Sequence, residues 1–187
     1  MFSSRGKSLP RFLTPGEVRS MIILSSSNPR DSMIIKCLFY LGLRNSELRN
    51  LCIEDIDCQN RMIKIIHGKG KKDRYVPIPA NSFLTDLSKS VGNKKNGYLF
   101  SFGKSHHLLS GRHVQRIVKK YAIKSGLRKP EEVHPHTLRH SYATHLQNQG
   151  IPLNAIQEVL GHADISTTTI YLHLGMDRIQ SLIENAF

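Results

Sequence analysis

Apolar positions recur at intervals of three and four through most of the chain, the spacing of helices that bury one face. Thr14-Pro15-Gly16-Glu17 marks the first start: threonine can cap, proline fits a first turn and glutamate can reach back to the cap. Val18, Met21, Ile22 and Ser25 follow on one face. Asn28-Pro29 opens a second helix, whose Met33, Ile34, Cys37, Leu38 and Leu41 are strongly apolar and which ends near Gly42. A short helix is expected after Arg44, and longer ones over residues 79–89, 110–125, 135–149 and 152–161. Residues 53–57, 62–66 and 75–78 read as three short strands, the last closed by Pro77 and Pro79, and residues 98–100 as a brief extended piece.

At 187 residues, 39% of them hydrophobic, the chain can bury one sizeable core. Charge changes the picture more. The 27 Lys and Arg against 14 Asp and Glu give +13, and so large an excess repels itself in a compact molecule. An anionic partner explains it most directly; a ribosomal or generally adhesive basic protein would carry the same signature. No apolar run approaches the roughly 20 residues of a membrane span, and a membrane partner is not expected. Cys37, Cys52 and Cys58 form no CxxC pair and read as reduced intracellular cysteines, with Cys37 in the core. His136 and His140 are four apart on a predicted helix, but no glutamate stands where a zincin needs it, and no metal is expected.

Four stretches carry candidate chemistry. Arg44 follows Gly42-Leu43 where two packed helices could hold it as a phosphate clamp, unless it pairs with Glu47 at the surface. Residues 67–74 (His-Gly-Lys-Gly-Lys-Lys-Asp-Arg) form a glycine-turned tip bearing Lys69, Lys71, Lys72 and Arg74, a cationic finger without the spacing of a nucleotide-binding P-loop. The helix over 110–125 turns Val114, Ile117, Val118 and Tyr121 inward and leaves Arg112, Arg116, Lys119, Lys120 and Lys124 elsewhere, either along a DNA backbone or simply solvated. In the last stretch His136 and Arg139 are three apart and share a face bordering Leu138, Tyr142 and Leu146. His162 follows a glycine helix stop at Gly161, Ser166 can cap a further helix, and Tyr171 falls on or near it. Cations, proton carriers and a phenol oxygen are what a phosphodiester would need around it. Each residue alone has a plainer structural reading; together they weigh differently.

The combination resembles the catalytic domain of the tyrosine recombinases, the family of phage integrases and Xer recombinases. The matching pieces are Gly42-Leu43-Arg44-Asn45-Ser46-Glu47-Leu48, Gly68-Lys69-Gly70 with Arg74-Tyr75-Val76-Pro77, His136-Thr137-Leu138-Arg139-His140-Ser141, Leu160-Gly161-His162, and Tyr171. They occur in family order over about residues 10–180. The resemblance implies an α+β, mainly helical fold in which a small antiparallel three-stranded sheet packs against a helical core. It implies that Tyr171 attacks a DNA phosphodiester, leaving a 3′-phosphotyrosyl link and a 5′-hydroxyl. Arg44 and Arg139 would grip the non-bridging oxygens, Lys69 would protonate the leaving 5′-oxygen, His136 would assist proton transfer from the tyrosine, and His162 would position phosphate or tyrosine. Neither a cofactor nor a metal is implied. The expected partner is double-stranded DNA, bound in part by Lys71, Lys72, Arg74, Arg112, Arg116, Lys119 and Lys120, with four protomers on two duplexes, a monomer when free, and the nucleoid as the place of action.

Three expectations concern organisation. Residues 1–9 are a flexible basic arm and residues 10–187 the catalytic domain. Family members carry a helical core-binding domain ahead of it, whereas this sequence starts almost at the first catalytic helix: either it is a piece of a longer protein or it works with half a clamp, and the second case predicts weaker DNA binding. Residues 176–187 form a tail helix with Ile179, Leu182, Ile183 and Phe187 on one side, docking either into a neighbouring protomer or back onto its own domain. Two other functions share these residues: a catalytically silent DNA-binding protein of the same fold, and type IB topoisomerase-like relaxation.

Overall fold

The computed structural model describes residues 11–66, 73–102, 107–161 and 175–187. Its elements are α1 (Pro15–Ser25), α2 (Pro29–Tyr40), α3 (Asn45–Arg49), β1 (Ile56–Asp57), β2 (Met62–Ile65), β3 (Arg74–Pro77), α4 (Ser82–Val91), β4 (Ser101–Phe102), β5 (His107–Leu108), α5 (Gly111–Lys124), α6 (Pro135–Asn148), α7 (Leu153–Leu160) and α8 (Met176–Glu184), with 3-10 turns at Ile53–Asp55 and Pro130–Glu132.

Local chemistry starts the helices where the sequence predicts. Thr14 accepts from the Glu17 amide at 3.3 Å while its own amide donates to Glu17 Oε2 at 2.7 Å, a complete capping box. Asn28 caps α2 through Asp31 N at 3.0 Å, and Ser110 caps α5 through His113 N at 3.1 Å. α2 lies at the centre. Met33, Ile34, Ile35, Cys37, Leu38 and Phe39 are all buried, so it is covered on every side, with α1, α4, α5 and α6 packed around it. Asp31 is buried there as well, reached by Arg30 at 3.1 Å, the Tyr121 hydroxyl at 3.3 Å and Lys120 at 3.7 Å. Such burial of a charge is tolerated because it is paired.

β1, β2 and β3 form an antiparallel sheet with Ile56 opposite Ile63, Ile63 opposite Val76 and Ile65 opposite Arg74. Its Ile63, Ile65 and Val76 face inward, and β3 packs against α7 and α8. The mainly helical fold with a small three-stranded sheet is therefore as expected. One strand is shorter than predicted: only Ile56 and Asp57 pair, because Ile53 N donates to Gly97 O at 2.8 Å and Leu99 N to Leu51 O at 2.9 Å, which curls residues 53–55 into a 3-10 turn. The two-stranded β4–β5 pairing was not legible in the sequence.

α8 turns its apolar side onto its own domain. Ile179 and Ile183 are fully buried, and Phe187 sits among Phe39, Tyr40, Tyr142 and His145, with ring centroids 4.7 to 6.0 Å away. His145 Nε2 lies 2.7 Å from Ala186 O. No described helix is long and apolar enough to cross a membrane.

Candidate active site

Three arginines distant in sequence converge on the end of α7. Arg74 Nε donates to Val159 O at 2.7 Å, Arg139 Nη2 to Leu160 O at 2.6 Å and Arg44 Nη2 to Gly161 O at 2.9 Å. Consecutive carbonyls thus each take a different guanidinium. The last carbonyls of a helix have no partner inside it and carry the negative end of its dipole, so cations are favoured there. Gly161 closes the helix at φ +66°, and a Cβ on it would stand 2.9 Å from Arg74 Cδ. Glycine is required twice over, for conformation and for space.

Glu47 lies beneath the cluster. Its Oε1 accepts from Arg44 Nη1 at 2.7 Å and Arg74 Nη1 at 2.9 Å; its Oε2 accepts from Arg74 Nη2 and the Arg44 amide, both at 2.8 Å. Arg139 Nη1 is 3.8 Å from Oε2 and donates instead to Gly42 O at 2.6 Å. Burial alone would raise the Glu47 carboxyl, but the bonds from Arg74 and Arg44 outweigh it and carry it down to about 2. Burial, then the neighbouring Arg44, brings Arg139 down to about 10, which leaves it protonated at neutral pH. Arg139 is only 5% exposed, whereas the Arg44 side chain is 34% exposed. Arg44 is therefore the member that faces outward. His136, one turn before Arg139 on α6, is exposed; partial desolvation, then Arg139, His140 and Arg44, hold its imidazole below the usual value. Among the described residues no group of three His, Cys, Asp or Glu could hold a metal ion.

The phage integrase family model matches residues 11–178. The chain belongs to that family, the tyrosine recombinases. A tyrosine recombinase XerA from Pyrococcus furiosus is 40% identical over 185 residues, covering 96% of this chain and 63% of the relative. Among solved structures, the crystal structure of a XerA recombinase is 32% identical with a TM-score of 0.75, covering 96% of this chain and 66% of that one. XerH site-specific recombinase bound to difH substrate, a pre-cleavage complex, is 27% identical with a TM-score of 0.69, covering 92% and 50%. The chain spans 57% to 63% of the length of the first curated relatives it matches.

For this tyrosine recombinase domain, two of the predicted catalytic residues, Arg44 and Arg139, come together at one place, with His136 on the same helix as Arg139. Lys69, His162 and Tyr171 lie outside the described residues, as do Lys71, Lys72, residues 1–9 and the helix expected from Ser166. Both ends of the segment carrying Lys69 are nevertheless fixed beside the cluster, since Ile65 pairs with Arg74.

Arg74 requires a correction. It is not a cation of the finger offered to DNA: it opens β3, is 8% exposed and is bound through all three guanidinium nitrogens to Glu47 and Val159. Strand alternation puts Arg74 on the inward face with Val76, and that was the available signal. Glu47 pairs with Arg44 as the plainer reading had it, yet it is buried rather than superficial. On α5, Arg112, Arg116, Lys119 and Lys120 are all exposed, opposite the buried Val114, Ile117, Val118 and Tyr121. Lys120 is tied down as well, lying 3.7 Å from Asp31 and 4.8 Å above the Tyr121 ring.

Proposed function

We propose that the chain is the catalytic domain of a site-specific DNA recombinase that cuts and rejoins strands through a 3′-phosphotyrosine intermediate. The supporting observation is the meeting of Arg44, Arg139 and Glu47 at the end of α7, immediately before His162. Guanidinium forks suit the non-bridging oxygens of a trigonal-bipyramidal phosphorus, and donors fixed before the reaction need no reorganisation during it. The Tyr171 oxygen forms the new bond to phosphorus as the bond to the 5′-oxygen breaks. Lys69 gives that oxygen its proton. His136, whose imidazole is held below its ordinary value by partial desolvation and then by Arg139, takes up the phenol proton. Religation reverses the sequence with a 5′-hydroxyl from another strand, and the covalent link conserves the bond energy between the two steps.

Double-stranded DNA is the partner in this reading, which the similarity to XerH, a site-specific recombinase bound to difH substrate, supports. The exposed face of α5 follows the phosphate backbone, four protomers act on two duplexes, and the setting is the cytoplasmic nucleoid. The test is a nicked duplex selected from a random-sequence pool by its tight binding to the protein. A covalent adduct that forms with the wild type and is absent in Tyr171→Phe supports the reading. Binding without an adduct favours a silent DNA-binding protein, and relaxation of arbitrary supercoiled plasmid favours a topoisomerase.

A further inference from the structure

A carboxylate has about four lone-pair directions, and among the described residues Glu47 accepts four hydrogen bonds, two of them from Arg74. Arg139 Nη1 stands 3.8 Å away, close enough to be attracted and too far to bond. Among the described residues, three guanidiniums against one carboxylate leave the cluster with two positive charges. Arg74 itself cannot meet an external ligand, since its stem lies beneath Gly161 and its Nε holds Val159 O.

We propose that Arg74 is a positioning residue for the reaction: by bonding both oxygens of Glu47, it stops that carboxylate from drawing Arg44 and Arg139 further inward. The outer donors and the charge of those two arginines are thereby left for a phosphate. The inference rests on the reading that Arg44 and Arg139 hold the scissile phosphate. Its physical basis is competition for a buried anion. Once Arg74 loses its charge, Glu47 is short of two hydrogen bonds in a nearly dry site, and leaving them unmade is costly. Arg139 needs to move only about 1 Å to supply one of them, and Arg44 already touches the other oxygen. The cluster then holds one net positive charge, directed at Glu47 rather than outward. A fork is needed because a single ammonium could not bond both carboxylate oxygens and Val159 O in this planar arrangement.

Two readouts test this on the full chain. The first is titration with inorganic phosphate, followed through the NMR signals of the arginine guanidinium groups; the second is single-turnover adduct formation on the selected nicked duplex. Arg74→Met is expected to weaken phosphate binding on the order of tenfold, the effect of one charge lost within several Å, and to slow adduct formation at least as much. The deciding variant is Arg74→Met with Glu47→Gln. Removing the carboxylate restores two positive charges and releases both arginines, so the double variant is expected to bind phosphate and form adduct more strongly than Arg74→Met. A purely structural role for Arg74 predicts that the second substitution leaves the site as poor or makes it worse. Either that result or wild-type phosphate affinity in Arg74→Met overturns the proposal. If Arg74→Met does not melt cooperatively, Arg74→Gln with and without Glu47→Gln carries the same comparison. A wild type that binds phosphate but forms no adduct overturns strand cleavage, while the phosphate titrations still decide the role of Arg74.

Discussion

Arg44 and Arg139 share a ligand in the proposed mechanism but differ in what else they hold. Arg139 joins the carbonyls of Gly42 and Leu160 and is almost wholly buried, whereas Arg44 has a third of its side chain in solvent. Lysine at either position keeps the charge and loses the fork, so adduct formation should fall by ~10²–10³ in both. Stability should separate them. Arg139→Lys leaves buried carbonyls short of donors and should cost about 1–3 kcal/mol, while Arg44→Lys, at a part-exposed ion pair, should stay within ~1 kcal/mol. Urea melts beside single-turnover assays check both halves. Glu47 adds a pH dependence of known sign. Its carboxyl falls from an ordinary 4.5 to about 2 in the folded chain, so the stability it contributes is present above pH 4.5 and lost as pH falls from 4.5 through about 2. Thermal melts across that window should show a decline that Glu47→Gln flattens. The same residues show how far sequence reaches. Arg44 and Arg139 were picked out because both fall in motifs of the family resemblance; each alone has a plainer reading. Arg74 was read outward because a cation two residues after a lysine pair looks solvated; strand alternation with Val76 was the signal against it, and its partner lies 27 residues away.

At the scale of elements, the helices were readable because their start and stop signals are local, a cap or a proline at one end and, for α2, α5 and α7, a glycine at or just past the other. The strand that shortened was misread for the opposite reason. What decides residues 53–55 is the Gly97 carbonyl, supplied from more than 40 positions away. Helix stops also carry the site, since Gly42 and Gly161 bring the ends of α2 and α7 to the arginines. Both have positive φ, and a Cβ on Gly42 would lie 2.5 Å from the Tyr142 ring. Gly150, at φ +79°, has nothing within 4 Å of that position and so isolates the backbone term. Gly150→Ala should therefore cost about 1 kcal/mol. Gly42→Ala should cost clearly more, by the 1–3 kcal/mol of overpacking. Gly161→Ala, which presses on Arg74, should lose adduct formation as well as stability. Equal destabilisation of the three in urea would contradict this ranking.

For the whole molecule the governing quantity is charge, and the +13 of the chain is not uniformly available to a partner. Arg74 and Arg139 are buried and committed to the site, and Lys36 and Arg30 pair with Asp86 and Asp31. The exposed row on α5 faces outward from a helix whose opposite side is fully packed, so it can be altered without disturbing the core. If this row tracks the DNA backbone, each phosphate contact releases counterions, and the slope of log affinity against log salt should fall by about 0.9 for each contact removed. Arg112→Gln, Arg116→Gln and Lys119→Gln should each lower the slope by roughly that amount while leaving urea melts within ~0.5 kcal/mol of wild type. Lys120→Gln should behave differently. Its amine is engaged by buried Asp31 and the Tyr121 ring, so removing it should change the salt slope less than its neighbours do and destabilise the α2–α5 contact more. Fluorescence anisotropy on a duplex at several salt concentrations, read beside the melts, gives both quantities for all four variants. Equal slopes in wild type and the three outward variants would place the DNA on another face of the domain.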